Sequence, residues 1–304
     1  MGYSILVADS DQEIYRCITD IFSPLGVAVS WAKEGVQALN MIENYMPQMV
    51  FADIDLCPMG GFELLGTMEG KFPGIERVLM TQGDVESFLS RVKEYNIGTV
   101  LAKGKDFVYN DIKAYLKGLL EQNTFGLERY FPDQVLKKES ITCYSKAKQI
   151  CSGIAELYPG EASVYVEIAV DELVSNAVFH GVLQLSGLER ECWCEQQTIP
   201  RQEAVTISWA SDNEKLGVSV EDSSGELKKS DMLHWFENSA GAHNQEQMLV
   251  HGRGLLLVRK LIDRFIVNIE CGSRTECILL QYFNRDYVES SKPVLIYDTN
   301  KNYR

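Results

Sequence analysis

Short runs of aliphatic residues alternate with amphipathic stretches through the first part of the chain. In chain order, the runs are SILVADS, VAVSWA, MVFADID, ERVLMTQ and TVLAKGK. Strands that alternate with helices favour a parallel, doubly wound sheet, because each helix carries the chain back to the same end of the sheet. The pattern predicts an α/β domain with a five-stranded parallel sheet over residues 1–122.

A different pattern begins after residue 138. ESITCYS is typical of a strand, a helix is predicted near residues 145–158, and Pro159 and Gly160 break the chain before a longer apolar helix. AVTISWAS and KLGVSVED, joined by DNEK, predict a hairpin, and FIVNIECG and TECILLQYF predict two final strands. Residues 139–304 therefore fit a second domain, an α/β sandwich whose antiparallel or mixed sheet carries helices on one face. Residues 123–138 lose clear periodicity and fit a linker.

Composition agrees with two globular domains. Of the 304 residues, 45% are hydrophobic and 24% are charged, which is ordinary for a soluble protein. No apolar run approaches the roughly 18 residues that a membrane span needs, and the first residues lack a basic and then apolar leader. We therefore expect a cytoplasmic protein without a membrane partner.

Charge and cysteine content narrow the possible partners. The formal net charge is -14, and no lysine- or arginine-rich block is present, which argues against direct nucleic-acid binding. The eight cysteines are scattered, and only Cys192 and Cys194 are close together, in ECWCEQ. Because no second ligand pair lies nearby, reduced and mostly packed thiols are the favoured interpretation, and a zinc site is the alternative.

Polar residues follow the predicted strands of the first domain. In a doubly wound sheet, ligands collect where the carboxyl ends of the strands open into loops. The residues at those ends are Asp9, Ser10, Asp11, Asp53, Asp55, Thr81 and Lys103. Two carboxylates about 6 Å apart repel by roughly 3 kcal/mol at an effective dielectric near 20, so the cluster calls for a cation. Magnesium, which prefers oxygen ligands, fits beside Lys103.

Residues 1–122 resemble a response-regulator receiver domain. In MVFADIDLCPMGGFELL, the acid that ends the third strand and the Gly-Phe-Glu that follows have the spacing of that family. The resemblance implies that Asp53 is the phosphoacceptor. It also implies a magnesium site beside Asp9 and the backbone of Asp55, with Thr81 and Lys103 holding the phosphoryl oxygens. A carboxylate nucleophile would form an acyl phosphate, and the metal and the lysine would neutralise the incoming charge.

Three positions depart from the receiver pattern. Ser10 stands where the family usually has a second acid, so that either Asp11 substitutes as a metal ligand or the metal binds more weakly. Val100 replaces the usual aromatic switch residue on the last strand, and Gly104 follows Lys103 where proline is usual. The resemblance therefore implies a non-standard conformational response to phosphorylation.

The segment DELVSNAVFHG, Asp171–Gly181, places polar residues on an otherwise apolar helix. Glu172, Asn176 and His180 are four residues apart and share one face of an α-helix. An unsatisfied buried polar group costs roughly 1–3 kcal/mol, so the stripe needs either internal partners or a polar ligand. A structural network and a ligand site both remain open on this segment alone.

Gly252 and Gly254 precede a further amphipathic helix, in HGRGLLLVRKLID. A lone Gly-x-Gly is weak evidence, but exposed amides and the helix dipole at such a start attract phosphate, and glycine permits its close approach. The order of the polar helix, the acid Asp222 after a central strand and this glycine pair resembles the GHKL ATPases. Within that family, the glycine segment is most similar to the anti-sigma-factor serine kinases, and the resemblance covers roughly residues 138–285.

The GHKL resemblance implies roles for the polar helix and for the adenine pocket. Asn176 would coordinate the magnesium ion that bridges the ATP phosphates, and Glu172 would act as the base that activates the attacking hydroxyl. Asp222 would accept a hydrogen bond from the adenine amino group, and Thr275 matches the hydroxyl near that pocket. For His180, a structural hydrogen bond is the favoured reading.

The same resemblance assigns the phosphate-binding amides to Gly252 and Gly254, while the role of the intervening Arg253 stays open. In EDSSGEL, members of the family usually have glycine at the positions of Ser224 and Glu226, so that Gly225 is the one glycine that remains in this nucleotide-binding segment. Glu226 adds negative charge near a polyphosphate. Residues 228–250 lie where this class carries a mobile lid over the nucleotide, although an ordinary surface loop also fits.

Three functions follow from these resemblances. In the first, phosphorylation of Asp53 by a sensor histidine kinase or phosphotransfer protein controls an ATP-dependent serine/threonine protein kinase. The implied substrate is a STAS anti-sigma antagonist, with a sigma factor as the alternative partner, and homodimer formation is left open. In the second, the ATP site is catalytically degenerate and the domain is a binding module that sequesters a partner.

The third function, a hybrid histidine kinase, is disfavoured by the positions of the histidines. The four histidines are His180, His234, His243 and His251. All of them lie beyond the helix in which a phosphoacceptor would precede the ATP site.

Overall fold

The computed structural model describes residues 3–104, 107, 109–160, 163–182, 198–199, 205–241, 253–284 and 291–300. These residues divide into two compact units. Of the described residues, unit 1 comprises those up to Thr124, the segment 291–295 and Asn300. Unit 2 comprises the residues from Phe125 and the short segment Ile296–Thr299. This division differs from the predicted boundaries, because residues 125–138 belong to unit 2 and residues 291–295 return to unit 1.

Unit 1 alternates strands and helices as the sequence predicts. Its elements are β1 Ser4–Ala8, α1 Gln12–Phe22, β2 Ala28–Ala32, α2 Gly35–Tyr45, β3 Met49–Asp53, α3 Gly61–Lys71, β4 Glu76–Thr81, α4 Leu89–Glu94, β5 Thr99–Ala102 and α5 Asn110–Leu120. The strand order is β2-β1-β3-β4-β5, and each neighbouring pair is parallel. The predicted doubly wound parallel fold is confirmed.

The core of unit 1 explains why β3 and β5 show no alternation of buried and exposed residues. β3 and β5 are buried along their whole length, as expected for a parallel sheet that is covered on both faces. Helix α1 buries Ile14, Ile18 and Phe22, which recur at helical spacing. Because all five strands run in the same direction, the polar residues that follow them lie at one edge of the sheet.

Unit 2 is built around an antiparallel sheet. Its elements are β6 Lys137–Ile141, α6 Tyr144–Ala155, α7 Ser163–Asn176, β7 Val205–Ser211, β8 Lys215–Asp222, α8 Lys229–Gly241, α9 Arg253–Leu261, β9 Arg264–Glu270 and β10 Arg274–Tyr282. The strand order is β6-β7-β8-β10-β9, and each neighbouring pair is antiparallel. Helix α7 packs against α6, α9 and β8, and the predicted α/β sandwich is confirmed.

Residues 125–131, predicted to lie in a linker, pack onto the sheet of unit 2. Leu127 and Phe131 are each 1% exposed, and a Cβ at Gly217 on β8 would overlap the ring of Phe131. The amide of Gly126 donates a hydrogen bond of 2.9 Å to the buried carboxylate of Glu276 on β10. This segment is therefore an integral part of the second unit.

Helix α7 ends earlier than the spacing of its polar residues predicts. The α-helical hydrogen-bonding pattern stops at Asn176, and Ala177–Val182 continue as a π-helix. A π-helix has more residues in each turn, so a spacing of four no longer keeps residues on one face. Glu172 and Asn176 keep their shared face, but the expected stripe does not extend in the same geometry to His180, whose side chain lies outside the description.

A strand absent from the sequence prediction, β11 (Val294–Asp298), follows β10. Its first residues belong to unit 1, where Val294 and Leu295 pair antiparallel with Val100 and Thr99 of β5. The expectation that β10 is the last strand was wrong. The apolar run VLIYD was readable as a strand, but its partner lies far earlier in the chain, and a local pattern carries no information about such a pairing.

Helix α8 forms the first part of the segment 228–250, for which the sequence leaves a lid and a surface loop open. Residues 242–250 of that segment lie outside the described residues. In the described part of the chain, none of the helices combines the length and apolar character that crossing a membrane requires.

Candidate functional site

The polar residues at the strand ends of unit 1 meet in a buried ion-pair cluster. The ammonium Nζ of Lys103 lies 2.9 Å from Oδ2 of Asp9 and 2.7 Å from Oδ2 of Asp53. Asp9 is 0% exposed and Asp53 is 4% exposed. Thr81, also buried, ends β4, which is the neighbour of β3 in the sheet. The structure thus joins Asp9 and Asp53 through Lys103 and places Thr81 at the end of the neighbouring strand.

Electrostatics in this cluster favour a charged lysine. Burial raises the pKa of Asp9, against the opposing effect of hydrogen bonds from the amide of Asp11 and from Lys103. Burial alone would lower the pKa of Lys103, but its hydrogen bonds to Asp53 and Asp9 outweigh that effect and raise the pKa. The charged lysine therefore offsets part of the repulsion between the two carboxylates. The sequence prediction assigns that function to a magnesium ion.

One oxygen of the cluster is suited to an incoming group. Oδ1 of Asp53 is buried and has no hydrogen-bond partner among the described residues, a state that costs roughly 1–3 kcal/mol until a partner arrives. A cation would satisfy that oxygen, and in an acyl phosphate the same oxygen could be the one bonded to phosphorus. No three His, Cys, Asp or Glu side chains converge as metal ligands within the described residues, so the magnesium site stays a prediction that Asp53 fits.

The other acids predicted near the metal are placed differently. The carboxylate of Asp11 caps helix α1, where its Oδ1 accepts a hydrogen bond of 2.8 Å from the amide of Glu13. The amide of Asp11 in turn donates to Oδ1 of Asp9 at 2.8 Å. Asp55 and Ser10 are exposed. Asp11 therefore supports Asp9 through its backbone, and its predicted substitution for the missing acid has no support in the position of its side chain.

In unit 2, the start of α9 lies directly on the polar face of α7. A Cβ at Gly254 would overlap Oε2 of Glu172 and would lie 3.3 Å from Nδ2 of Asn176. Only glycine fits this contact without displacing a side chain. The structure thus brings together the three predicted residues Glu172, Asn176 and Gly254, while Gly252 lies outside the described residues.

A cavity of about 210 Å³ adjoins Asn176. The residues that line it are Leu173, Asn176, Ala177, Gly181, Val220, Asp222, Ser224, Glu226, Leu227, Asp231, Trp235, Leu255, Thr275 and Cys277. Of the residues predicted to bind nucleotide, Asn176, Asp222 and Thr275 are on this wall, and Gly225 and Gly254 are not. Gly225 instead adopts φ +61° and accepts a hydrogen bond of 3.2 Å from the amide of Gly272, which places it in a turn contact.

Asp222 and Thr275 face each other across neighbouring strands β8 and β10. Oδ1 of Asp222 accepts hydrogen bonds from the amide of Ser224 at 2.9 Å and from its hydroxyl at 2.5 Å. The buried hydroxyl of Thr275 has no hydrogen-bond partner among the described residues. A carboxylate acceptor beside a hydroxyl that needs a partner suits a ligand edge that both donates and accepts, such as the amino edge of adenine.

The environment of Asp222 adjusts its ionisation. Burial raises the pKa of Asp222, while the hydrogen bonds from Ser224 oppose that shift and favour the carboxylate. Gly181 lies over the same group, since a Cβ there would be 2.8 Å from Cγ of Asp222. The orientation of the carboxylate is thus fixed on two sides by neighbouring residues.

Two residues of the cavity wall, Asp231 and Trp235, were missed by the sequence prediction. Both belong to α8, and their spacing of four places them on one helical face. That spacing was the available signal, but no helix was predicted there. Of the remaining candidates, Cys192 and Cys194 lie outside the described residues, and Arg253 is described only by its backbone.

Two models of known protein families match this chain, one in each of its two parts. Residues 5–116 match the family model of the response regulator receiver domain, and residues 144–281 match that of the histidine kinase-like ATPase domain. The chain is 24% identical over 183 residues to the probable transcriptional regulator ycf29 of Pyropia yezoensis, a match that covers 59% of this chain and 75% of that protein. It is 25% identical over 154 residues to the transcriptional regulatory protein KdpE of Mycobacterium tuberculosis, which covers 51% of this chain and 66% of that protein.

Among solved structures, the signal receiver domain of an HD domain-containing protein from Pseudomonas fluorescens Pf-5 is similar to part of this chain. The match has 24% sequence identity and a TM-score of 0.37, and it covers 40% of this chain and 88% of that chain.

Proposed function

Because the chain joins a response-regulator receiver domain to a histidine kinase-like ATPase domain, we propose that phosphorylation of Asp53 controls an ATP-dependent serine/threonine protein kinase of the anti-sigma-factor type. A receiver domain implies a histidine kinase or a phosphotransfer protein as phosphoryl donor, and the ATPase domain implies ATP binding. The proposed substrate is a STAS anti-sigma antagonist, and a sigma factor is the alternative partner.

In the first step, a carboxylate oxygen of Asp53 attacks the phosphorus of the donor's phosphohistidine. The nitrogen-phosphorus bond breaks, and the product is an acyl phosphate on Asp53. Lys103, 2.7 Å from Asp53, and the hydroxyl of Thr81 would hold the added oxygens. A magnesium ion held by Asp9, Asp53 and the backbone of Asp55 would neutralise charge on those oxygens when bound.

The observation that carries the kinase proposal is the contact of Gly254 with Glu172, one turn from Asn176 and its cavity. Asp222 and Thr275 would bind adenine in the cavity, and Asn176 would hold the magnesium ion of the nucleotide. The oxygen of the substrate hydroxyl would attack the γ-phosphorus of ATP, and Glu172 would accept the proton of that hydroxyl. The bond to ADP breaks in the same step, and ADP leaves with the electron pair.

The charge of the cavity favours the second candidate, a binding module that sequesters its partner without phosphotransfer. Glu226 and Asp231 line the same cavity as Asp222, and carboxylates near a polyphosphate weaken its binding. Under this alternative, Glu172→Gln leaves partner binding and its dependence on Asp53 unchanged.

The test incubates the full chain with labelled ATP, magnesium and a STAS protein, with and without an acyl-phosphate donor. The kinase proposal expects label on a serine or threonine of the STAS protein at a rate that depends on the donor. Glu172→Gln abolishes transfer and retains ATP binding, whereas Glu167→Gln, on the same helix, retains both. Bound ATP without transfer in either state contradicts the kinase and leaves the binding module. Self-labelling that is stable to base and labile to acid identifies a histidine kinase instead.

A further inference from the structure

The C-terminal segment 291–295 completes the edge of the receiver sheet. Val294 and Leu295 pair with Val100 and Thr99 of β5, and the two tail residues are 0% and 1% exposed. An open edge strand offers unpaired amides and carbonyls to other chains. Here the protein covers part of that edge with its own tail, beside Val100, the residue that replaces the aromatic switch.

Ser291 fastens this segment to the loop that follows β4. Its hydroxyl oxygen accepts a hydrogen bond of 2.7 Å from the amide of Val85 and donates one of 2.9 Å to Oδ1 of Asp84. Ser291 is 7% exposed. The same Oδ1 of Asp84 accepts from the amide of Glu86 at 3.3 Å and caps the 3-10 helix Val85–Phe88. The hydroxyl of Ser291 therefore links segment 291–295 to two groups of this loop, the amide donor of Val85 and the carboxylate acceptor of Asp84.

The same loop is bonded to the phosphorylation cluster. The amide of Gly83 donates a hydrogen bond of 2.9 Å to the hydroxyl oxygen of Thr81. Thr81 follows Met80, which pairs with Asp53 across β3 and β4. A continuous series of hydrogen bonds and backbone thus leads from Asp53 through Thr81 and the loop to Ser291.

We propose that segment 291–295 is an internal ligand of the receiver sheet and that phosphorylation of Asp53 loosens it. The inference rests on the proposed role of Asp53 as phosphoacceptor. A phosphoryl group adds a charge of about -1.5 to -2 and three strong acceptor oxygens. The side chain of Thr81 rotates to donate its hydroxyl proton to one of these oxygens, and the rotation moves its oxygen away from the amide of Gly83.

Loss of that bond shifts the turn that contains Asp84 and Val85. Ser291 needs an acceptor and a donor at fixed positions, so both of its hydrogen bonds weaken together. Residues Ile296–Thr299 continue directly from this segment within unit 2, where the amide of Thr299 donates to the carbonyl of Ile269 at 2.9 Å. Loosening of residues 291–295 therefore propagates through the continuous backbone to residues 296–299 of unit 2.

The experiment measures amide hydrogen exchange of the full chain, with and without acetyl phosphate and magnesium, in peptides that cover residues 82–89 and 291–299. Phosphorylation is expected to speed exchange of the Val85 amide and of residues 294–295 by about fivefold to thirtyfold, the effect of losing one or two hydrogen bonds. Ser291→Ala produces the same increase without the donor. Ser87→Ala, an exposed change on the neighbouring 3-10 helix, leaves exchange unchanged, and Asp53→Asn removes the response to the donor.

Intact mass separates two kinds of failure. A chain that carries the phosphoryl group but shows unchanged exchange at Val85 and residues 294–295 overturns the inference and leaves the proposed phosphoacceptor in place. Exchange in Ser291→Ala that equals the wild type overturns the fastening role of Ser291. A chain that gains no phosphoryl group overturns both the proposed role of Asp53 and the inference that rests on it.

Discussion

Gly254 lies against Glu172 so closely that a Cβ at position 254 would overlap the Glu172 carboxylate. The same Cβ position is 3.3 Å from Nδ2 of Asn176. A methyl group at position 254 would therefore have to displace the end of the Glu172 side chain, whatever part the glycine plays in phosphate binding. The start of α9 and the polar face of α7 form one assembly, and a change in either is expected to affect the adjoining cavity.

Gly254→Ala is expected to reduce ATP affinity and to destabilise unit 2. The added methyl displaces Glu172 and shifts Asn176 away from the cavity, and overpacking of this kind costs about 1–3 kcal/mol. Hydrogen exchange of α7 peptides reports the stability, and calorimetric titration with magnesium-ATP reports the affinity.

The matched control is Gly153→Ala on helix α6, where an added Cβ meets no atom within 4 Å. That change is expected to be neutral or to stabilise by about 0.5–1 kcal/mol, because alanine favours a helix interior. Equal ATP binding by the Gly254→Ala variant and the Gly153→Ala control would contradict the packing account.

Ser224→Ala is expected to weaken ATP binding and to reduce discrimination against inosine triphosphate, which lacks the adenine amino group. The variant loses the 2.5 Å hydrogen bond from the hydroxyl to Asp222. Hydrogen bonds to charged groups contribute about 1.5–3 kcal/mol, although the retained amide bond limits the loss. Competition binding of the two nucleotides measures the ratio.

Ser223→Ala supplies the control for this prediction, because Ser223 is the exposed neighbour of Ser224. The control is expected to bind both nucleotides as the wild type does. A Ser224→Ala variant with weaker binding but an unchanged nucleotide ratio would show that Ser224 only stabilises the loop.

Glu226→Gln is expected to increase ATP affinity. Glu226 lines the cavity and is exposed, so water screens its charge in part. Removing one exposed like charge is expected to improve the dissociation constant by about twofold to fivefold at low salt. The gain should shrink as salt is raised. An unchanged affinity at low salt would place the polyphosphate away from Glu226.

Glu276 gives unit 2 a defined dependence on pH. Burial raises the pKa of Glu276 above its ordinary value of 4.5, against hydrogen bonds from Ser219, Gly126 and Asn268, and nearby Glu221 adds to the rise. The unfolded chain therefore loses this proton at a lower pH than the folded chain. The contribution of Glu276 to stability is present below about pH 4.5 and is lost as pH rises through the folded pKa.

Glu276→Gln removes this titration and can keep the hydrogen bonds, with its oxygen as acceptor and its amide nitrogen as donor to Ser219. Protection of β8 and β10 peptides from hydrogen exchange, relative to the wild type at the same pH, is expected to increase from acid to neutral pH. Glu276→Ala leaves the buried donors unsatisfied and is expected to destabilise by about 3 kcal/mol or more. If the ratio of hydrogen-exchange protection between Glu276→Gln and the wild type is constant with pH, Glu276 is not the source of this pH dependence.

Features that depend on local chemistry were predictable from the sequence. The alternation of aliphatic runs with amphipathic stretches predicted the parallel sheet, and the residues at its strand ends, Asp53 and Lys103, do meet. The spacing of Glu172 and Asn176 gave their common face. In each case, the signal lies within one element or in the shared direction of parallel strands.

Features that depend on contacts between distant segments were not predictable. The pairing of Val294 with Val100 and the bond from Ser291 to Asp84 join the two ends of the sequence, and the contact of Gly254 with Glu172 joins separate helices. The helix cap formed by Asp11 is different, because it is a local contact with the amide of Glu13. The position of Asp11 directly before α1 was a signal for this cap, although the sequence prediction assigned the carboxylate to the metal cluster.

Calorimetric titration of ATP into the wild type and an Asn176→Ala variant, with magnesium and with a chelator, tests the nucleotide site most directly. Asn213→Ala, in an exposed turn of unit 2, is the control. Magnesium-dependent binding is expected for the wild type and the control, with an affinity about tenfold or more lower for Asn176→Ala and similar weak binding for all three without magnesium. Equal affinity of the wild type and Asn176→Ala in the presence of magnesium, or no binding by the wild type, would contradict the proposed nucleotide site.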